Sequence, residues 1–185
     1  MTDRAALIML LAERSVKRGQ FTLASGKRSE YYIDARLTTM SPEGLSVIGP
    51  LALVALRTSG WPVDSVGGLT LGADPISYAV SYASAASPPP LRAFTVRKEV
   101  KAHGTGKQIE GPFREGDHVA VIEDVITTGG SALRAIDAVR GANGIVSGVL
   151  ALVDREEGGR GVIEDAGVQV ITLVTATELV RARAS

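Results

Sequence analysis

Short apolar runs alternate with amphipathic segments along most of the chain, and their order predicts the fold. Leu7 and Leu11 fall at helical spacing, which predicts a first helix over residues 5–17. A serine, a proline and a glutamate at residues 41–43 form a typical helix start: a capping hydroxyl, proline at the first helical position and then an acid. That helix is expected to reach about residue 58.

The remaining blocks predict strands and helices in turn. Apolar runs indicate strands at residues 64–69, 91–96, 118–122, 145–153 and 168–174. Helical patterns occupy residues 74–86, 131–140, 161–166 and 177–183. Two short strands are predicted at residues 21–23 and 31–34, around a turn at residues 25–27. Near-continuous apolar strands between helices indicate a mostly parallel sheet covered on both faces, so we predict one α/β domain over residues 1–185.

Residues 100–114 do not fit this alternation of strands and helices. The segment is rich in lysine and glycine and has no apolar period. A loop of ~15 residues inside a compact domain is uncommon and is often functional. The segment is therefore either a lid over a site or a tolerated surface insertion.

Composition narrows the classes of function. The 185 residues are 45% apolar, and the 20 basic and 20 acidic side chains cancel. A neutral chain argues against a general nucleic-acid or membrane-surface binder. The chain has no cysteine, which fits a reducing compartment, and it shows neither a signal peptide nor an apolar run long enough to span a membrane. A cytoplasmic location is the expectation.

The most informative run is residues 121–131. An apolar strand is expected to stop at Glu123 and Asp124, and a loop of threonine, glycine and serine then leads into a helix. Backbone amides at such a helix start can bind a phosphate, and the two acids must then serve another part of the ligand, such as ribose hydroxyls or magnesium. The alternative is an ordinary strand-to-helix turn with surface acids and a helix cap at Ser131.

Other candidates follow other predicted strands. Arg97, Lys98, Lys101 and His103 form a basic cluster that suits a pyrophosphate, or else a solvated charged surface. Arg155 follows an apolar strand and suits a planar carboxylate, or else a surface ion pair. Tyr31 and Tyr32, near Lys27, suit stacking on a heterocycle, or else a packed core. No Walker loop, dinucleotide fingerprint or zinc motif is present.

These motifs together resemble the orotate phosphoribosyltransferases. The resemblance runs over essentially the whole chain and is carried by residues 21–27 with Tyr31 and Tyr32, by residues 97–104, by residues 121–131 and by residues 154–156. It implies a single-domain type I phosphoribosyltransferase fold with a small N-terminal hood (about residues 1–40) and a flexible lid loop (about residues 98–114). It also implies transfer of the phosphoribosyl group from phosphoribosyl pyrophosphate to orotate, with Mg²⁺, in a cytoplasmic homodimer of the pyrimidine pathway.

The resemblance also implies roles for individual residues. Lys101 and Asp124 would be catalytic. Phosphoribosyl pyrophosphate would be bound by Arg97, Lys98, Lys101, His103, Glu123, Asp124, Val125, Ile126, Thr127, Thr128, Gly129, Gly130 and Ser131. Orotate would be bound by Thr127, Arg155, Tyr31, Tyr32 and Lys27. Magnesium would be held mainly through the substrate, without a direct protein ligand.

Two departures from the family pattern and two rival functions stay open. Ala24 stands where many bacterial members carry lysine, and Glu123 begins an acid pair that is frequently two aspartates. The rivals are a phosphoribosyltransferase for another base, such as a purine, and a non-catalytic regulator that binds phosphoribosyl pyrophosphate. Arg155 favours orotate, because orotate carries a carboxylate and the purines do not.

Overall fold

A computed structural model describes residues 3–22, 26, 28–99 and 108–184. The helices are α1 (Asp3–Arg14), α2 (Arg36–Thr39), α3 (Pro42–Thr58), α4 (Ala73–Ala85), α5 (Gly130–Gly141), α6 (Gly159–Asp165) and α7 (Ala176–Ala184). The strands are β1 (Val16–Thr22), β2 (Arg28–Ile33), β3 (Ser65–Leu69), β4 (Arg92–Val96), β5 (Ile109–Glu110), β6 (His118–Ile126), β7 (Ile145–Asp154) and β8 (Val170–Thr175).

Among the described residues, the central sheet has six strands in the order β5-β4-β3-β6-β7-β8. The neighbours from β4 to β8 are parallel, and the edge pair β4 and β5 is antiparallel. A separate two-stranded antiparallel sheet of β1 and β2 stands near the N-terminus. The predicted α/β fold with a mostly parallel sheet is confirmed.

Two apolar cores cover the two faces of this sheet. One core holds side chains of α1, α3, α4 and α7, and the other holds side chains of α5 and α6. Strand β6 supplies Ala120 and Ile122 to the first core and Val119 and Val121 to the second. Successive side chains of a strand point to opposite faces, so a strand covered on both faces must be apolar at every position.

The helix over residues 42–58 forms as the sequence predicts. Ser41 has an extended backbone, and its hydroxyl accepts a hydrogen bond from the Gly44 amide at 3.1 Å, while Pro42 occupies the first helical position. At the other end, Gly60 has a φ of 78°, a backbone conformation that glycine adopts without strain. This helix packs on α4 beside the sheet.

Several predicted boundaries were wrong, among them the starts of β1 and β2, which the sequence placed at residues 21 and 31. The first helix ends at Arg14 instead of residue 17, because Val16 and Lys17 pair with β2. Strand β6 continues past residue 122 to Ile126, because its backbone stays paired with β7 through the acids. The predicted loop at residues 100–114 contains a short strand: β5 pairs with β4, and the Phe113 ring lies 5.3 Å from the Phe94 ring.

Candidate functional site

The carboxyl ends of the parallel strands open onto a cavity of about 590 Å³. Open parallel sheets bind their ligands at this edge. The cavity brings together residues that the sequence predicted from separate motifs: Tyr32, Lys98, Glu123, Asp124, Val125, Thr127, Thr128, Ser131 and Arg155. Segments more than a hundred residues apart in the chain therefore meet in one site.

The paired acids lie within β6, near its carboxyl end, instead of after the strand. Both acid side chains line the same cavity, and the two carboxyl groups interact with each other. Glu123 is only 9% exposed. The structure thus contradicts the alternative of surface acids on an ordinary turn.

The electrostatic state of Glu123 is set by its surroundings. Burial and the neighbouring Asp124 carboxylate raise the pKa of the Glu123 carboxyl well above its ordinary value, and the Arg134 guanidinium offsets this only in part. A raised pKa favours the protonated form, which can donate a hydrogen bond. Burial and the like-charged neighbour thus both disfavour a negative charge on the Glu123 side chain.

The Asp124 carboxylate packs against the backbone of Gly72, which has no side chain. A Cβ added to Gly72, the residue that precedes α4, would lie 2.4 Å from Asp124 Cγ. Asp124 Oδ1 also accepts a hydrogen bond from the Val125 amide at 2.8 Å. These contacts fix the carboxylate at the wall of the cavity.

The loop between β6 and α5 has the features of a phosphate cradle. Gly129 is the N-cap of α5 with a φ of 82°, and no side chain caps the helix there. Ser131 lies inside the helix and lines the cavity, so the predicted alternative in which Ser131 caps the helix was wrong. The first amides of α5 therefore have no side-chain cap competing for them, and the hydroxyls of Thr127, Thr128 and Ser131 stand around the same space.

The position of this loop depends on two glycines that touch. A Cβ on Gly129 would lie 2.7 Å from the Gly159 carbonyl oxygen, and a Cβ on Gly159 would lie 2.4 Å from the Thr127 carbonyl oxygen. Neither contact is possible for a residue with a side chain. The loop consequently packs directly on the N-terminus of α6.

Arg155 is almost fully buried at the end of β7, with 5% exposure. Its guanidinium pairs with Glu157 at 2.8 Å and lies 5.1 Å from the centre of the Tyr31 ring. Tyr31 packs against the core and does not line the cavity, whereas Tyr32 lines it and contacts Phe21 at a ring distance of 5.7 Å. The two adjacent tyrosines thus have different positions, as the alternation of a strand requires.

The basic cluster is divided between two cavities. Lys98 and Thr70 line both the main cavity and a neighbouring cavity of about 510 Å³, which also contains Arg97. The Arg97 guanidinium is paired with Glu110 at 3.1 Å, on the edge strand β5. Arg97 therefore stands beside the main cavity in this structure, not in its lining.

Some predicted residues do not line the cavity, and others lie outside the described residues. Ile126 is buried at 1% exposure, and the lining contains neither Gly129 nor Gly130. Lys27, Lys101 and His103 lie outside the described residues. Within the residues that are described, no group of three or more acidic or histidine side chains forms a metal site.

The sequence reasoning missed several residues that line the cavity: Asp34, Arg36, Thr70, Leu71, Gly72 and Arg134. Arg36 is paired with Asp34 at 2.8 Å, and residues 70–72 directly follow β3. One available signal was the rule that ligands bind at the carboxyl ends of parallel strands, which applies to β3 as much as to β6. No motif pointed to Arg36 or Arg134.

Comparison with known proteins identifies the family. No protein-family model matches the chain. An orotate phosphoribosyltransferase of Aquifex aeolicus is 47% identical over 182 residues, which is 97% of this chain and 98% of the relative. The chain belongs to the orotate phosphoribosyltransferase family. A member from Rhodopirellula baltica is 42% identical over 94% of this chain and 92% of its own length.

Solved orotate phosphoribosyltransferases share the fold. A Mycobacterium tuberculosis H37Rv orotate phosphoribosyltransferase in complex with Fe(III) dicitrate superposes with a TM-score of 0.83 and 41% identity, over 96% of this chain and 98% of that one. Another structure of a Mycobacterium tuberculosis H37Rv orotate phosphoribosyltransferase, with 5-phospho-alpha-D-ribosyl 1-diphosphate, gives a TM-score of 0.79 and 40% identity, over 96% and 98%. The resemblance read from the motifs and the type I fold it implied are both confirmed.

Proposed function

We propose that this chain transfers the 5-phosphoribosyl group from phosphoribosyl pyrophosphate to orotate, giving orotidine 5′-monophosphate and pyrophosphate in de novo pyrimidine biosynthesis. The observation that carries the proposal is the shared cavity: a carboxylate pair, a hydroxyl-lined helix start and Arg155 surround one space of about 590 Å³. Each group suits a different part of the two substrates. The family membership supports orotate over the purines.

The sugar and its phosphate fit the region around β6 and α5. Glu123 and Asp124 would hold the ribose hydroxyls, since carboxyl oxygens accept hydrogen bonds from hydroxyl groups. The 5′-phosphate would lie against residues 127–131, where backbone amides and hydroxyls donate to its oxygens. Val125 lines the cavity, and the proposed contacts to Ile126, Gly129 and Gly130 would be backbone contacts, because the Ile126 side chain is buried in the core and glycine has no side chain.

The leaving group needs cations. Lys98 lines the main cavity, and Arg97 is one residue away beside β5. Lys101 and His103 come from the same basic run and complete the proposed pyrophosphate site, with residues 98–114 as its lid. Breaking the bond between C1′ and the pyrophosphate oxygen builds negative charge on the leaving group, and preplaced cations stabilise that charge.

The nucleophile needs little activation. The ring nitrogen of orotate attacks C1′, the pyrophosphate oxygen departs with the bonding electrons, and the proton of the ring nitrogen passes to the departing pyrophosphate or to solvent. Because positive charge develops on the sugar before the new bond is complete, no strong general base is required. Asp124 would hold the sugar close to the positive charge that develops on it. Exclusion of water protects the activated ribose from hydrolysis, which is the role we assign to the lid.

Magnesium fits the donors in this site. Mg²⁺ usually keeps several waters and binds substrate phosphate oxygens, and the carboxyl groups of Asp124 and Glu123 beside the expected sugar can accept hydrogen bonds from such waters. We propose that the ion is held mainly through the substrate, without a direct protein ligand, and that it neutralises charge on the pyrophosphate. The protein residues then bind and orient the substrate around the ion.

Orotate would lie between Arg155, Thr127 and Tyr32, with Lys27 and Tyr31 nearby. A guanidinium can bind a carboxylate through two parallel hydrogen bonds. The Arg155 guanidinium is already oriented by Glu157 and Tyr31, so its position is fixed before orotate arrives. This preorganisation is what an anion-selective pocket needs.

The direct experiment follows the loss of orotate absorbance after phosphoribosyl pyrophosphate and magnesium are added. Uracil, adenine, hypoxanthine and xanthine serve as competing bases in the same assay. Consumption of orotate alone is expected; turnover of a purine instead would support the first rival. Binding of phosphoribosyl pyrophosphate in calorimetry without turnover of any base would support the regulator.

Arg155→Lys tests the selectivity of the pocket. The lysine keeps the charge but loses the two-pronged geometry, so KM for orotate should rise roughly ten- to hundredfold. Arg160→Lys is the matched control, because Arg160 lies on the surface of α6 and pairs with Glu164. An unchanged KM for orotate in Arg155→Lys would remove Arg155 from the orotate site.

We also propose a homodimer with active sites shared across the interface. An apolar groove of about 890 Å³ runs between α3 and α4, and its exposed side chains include Met40, Leu71, Tyr78 and Tyr82. Exposed apolar patches of this kind usually mark an interface. Leu71 lines both this groove and the main cavity, so a second copy on the groove would reach the site.

Sedimentation velocity tests the dimer. The wild-type protein should sediment with twice the chain mass, and Tyr82→Asp, at a side chain that is 85% exposed, should shift it toward the monomer. Val54→Asp, at an exposed position of α3 outside the groove lining, is the control and should leave the dimer intact. A wild-type monomer at assay concentration would contradict this part of the proposal.

Regarding location, none of the helices in the described part of the chain is long and apolar enough to cross a bilayer.

A further inference from the structure

Asp74 is a buried carboxylate that the proposed reaction does not use. It lies in the first turn of α4 and is 8% exposed. Its Oδ2 accepts a hydrogen bond from the Thr70 hydroxyl at 2.6 Å, and its Oδ1 accepts one from the Thr95 hydroxyl at 2.8 Å. Thr70 follows β3 and Thr95 belongs to β4, so one carboxylate joins the ends of two neighbouring strands.

These bonds are not a helix cap. An aspartate near a helix start ordinarily accepts hydrogen bonds from the first helical amides. Here the N-cap of α4 is Gly72, which has no side-chain cap, and both Asp74 oxygens bond to hydroxyls outside the helix. A carboxylate buried beside the apolar groove is costly unless its oxygens are hydrogen-bonded, so the two threonines account for its presence there.

The network extends toward the apolar groove. The Tyr78 hydroxyl lies 2.8 Å from the Thr95 hydroxyl oxygen, and Tyr78 is one turn along α4 from Asp74. Thr95 therefore contacts both Asp74 and Tyr78. Hydroxyls with two hydrogen-bond partners are fixed in orientation, so the network is more rigid than any single contact.

The segment that Asp74 holds borders the main cavity. Residues 70–72 all line that cavity, and Thr70 also lines the neighbouring cavity beside Lys98. The Thr70 amide donates to the Val96 carbonyl oxygen at 2.8 Å, which fixes the backbone, while Asp74 fixes the side chain. At the other end of the segment, Gly72 lies against the Asp124 carboxylate.

We infer that Asp74 is a positioning residue for phosphoribosyl pyrophosphate. Through the hydroxyls of Thr70 and Thr95 it holds residues 70–72 in place between Asp124 and Lys98, where a substrate that spans from ribose to pyrophosphate must pass. Asp74 itself does not touch the substrate. The identity of that substrate rests on the proposed function, whereas the holding of the segment rests on the contacts above.

The kinetic test compares Asp74→Ala, Asp74→Asn and Thr95→Val with the exposed helical control Asp165→Asn. Asp74→Ala should raise KM for phosphoribosyl pyrophosphate roughly ten- to hundredfold, the effect of losing hydrogen bonds to a charged group, and leave KM for orotate within about twofold. Asp74→Asn should recover most of the loss, because its amide can accept from one hydroxyl and donate to the other. The KM of Thr95→Val for phosphoribosyl pyrophosphate should lie between the values of the two Asp74 variants.

Amide hydrogen exchange provides a readout that does not need activity. In the protein without substrate, exchange of residues 69–74 should quicken in Asp74→Ala and Thr95→Val, while exchange in α5 and β7 stays as in wild type. If Asp74→Ala does not fold, Asp74→Asn and Thr95→Val carry the same comparison, since both substitutions are nearly isosteric.

The outcomes separate this inference from the proposed function. A wild-type protein that leaves orotate untouched refutes the proposed function, while the exchange measurement still decides whether Asp74 holds the segment. An active wild type in which Asp74→Ala matches Asp165→Asn in both readouts overturns the inference alone. Equal losses for both substrates together with faster exchange throughout the chain also overturn it, because that pattern means general destabilisation.

Discussion

Gly72→Ala should disable the site without unfolding the protein. Gly72 has a φ of −65° and a ψ of −42°, a conformation that alanine adopts readily. The added methyl group would nevertheless stand 2.4 Å from the Asp124 carboxylate carbon and one of its oxygens. The backbone can accept the substitution, and the carboxylate must move.

The size of the effect follows from this distance. Ordinary contact between such atoms begins near ~3.4 Å, so Asp124 must be displaced by ~1 Å. A misplacement of ~1 Å in a catalytic group can cost ~10²-fold in rate, or ~2.7 kcal/mol of transition-state stabilisation. The free energy of unfolding should be unchanged or higher by up to ~1 kcal/mol, because alanine restricts the unfolded chain more than glycine does.

The assay measures kcat/KM for phosphoribosyl pyrophosphate and the thermal midpoint of each variant. Gly161→Ala is the matched control, because Gly161 lies in α6 and its added Cβ meets nothing within 4 Å. In an Asp124→Ala background, Gly72→Ala should have less than a twofold effect, since the group it displaces is gone. A Gly72→Ala protein with wild-type kcat/KM would refute the reasoning, as would an undiminished effect in that background.

Three further predictions concern the other parts of the site. Burial raises the pKa of Glu123 in the folded protein above its ordinary 4.5, so its contribution to stability is fully present below pH 4.5 and is lost as the pH rises through the folded-state pKa. Glu123→Gln should therefore flatten the pH dependence of the unfolding free energy and stabilise the protein at neutral pH. Chemical denaturation at a series of pH values measures both effects. Gly129→Ala, at a φ of 82° and against the Gly159 carbonyl oxygen, should lower stability by at least ~1–2 kcal/mol and raise KM for phosphoribosyl pyrophosphate; an unchanged denaturation midpoint would contradict the close packing. Lys101→Ala should lower kcat by ~10²-fold if Lys101 contacts the departing pyrophosphate, and near-wild-type turnover would exclude that role.

The apolar pattern was sufficient for most of the fold. Strands β3, β6 and β7 are mostly buried, and the apolar runs within them mark them clearly in the sequence. The start of α3 was equally readable, because its cap and proline act within one turn of chain. Features that depend on residues close together in the chain can be predicted from the local sequence.

The missed features all depend on distant partners. Strand β5 has two residues and exists only because β4 offers it an edge, and β6 extends through two acids because β7 continues beside it. Backbone hydrogen bonds between strands form with polar and apolar side chains alike, so the two acids gave no sign that β6 continues through them. The same applies to the division between Tyr31 and Tyr32, which the register of β2 decides.

The sequence by itself determined the chemistry of the site: the acids, the glycine-rich loop and Arg155 are recognisable from their types and spacing. The tertiary structure decided which side chains face the common cavity and in what electrostatic state. It buries Glu123, turns Arg97 toward Glu110, and brings Thr70 and Gly72 beside Asp124 through contacts that no local pattern encodes. Residue type sets what a group can do, whereas burial and neighbours from other strands set its pKa and position.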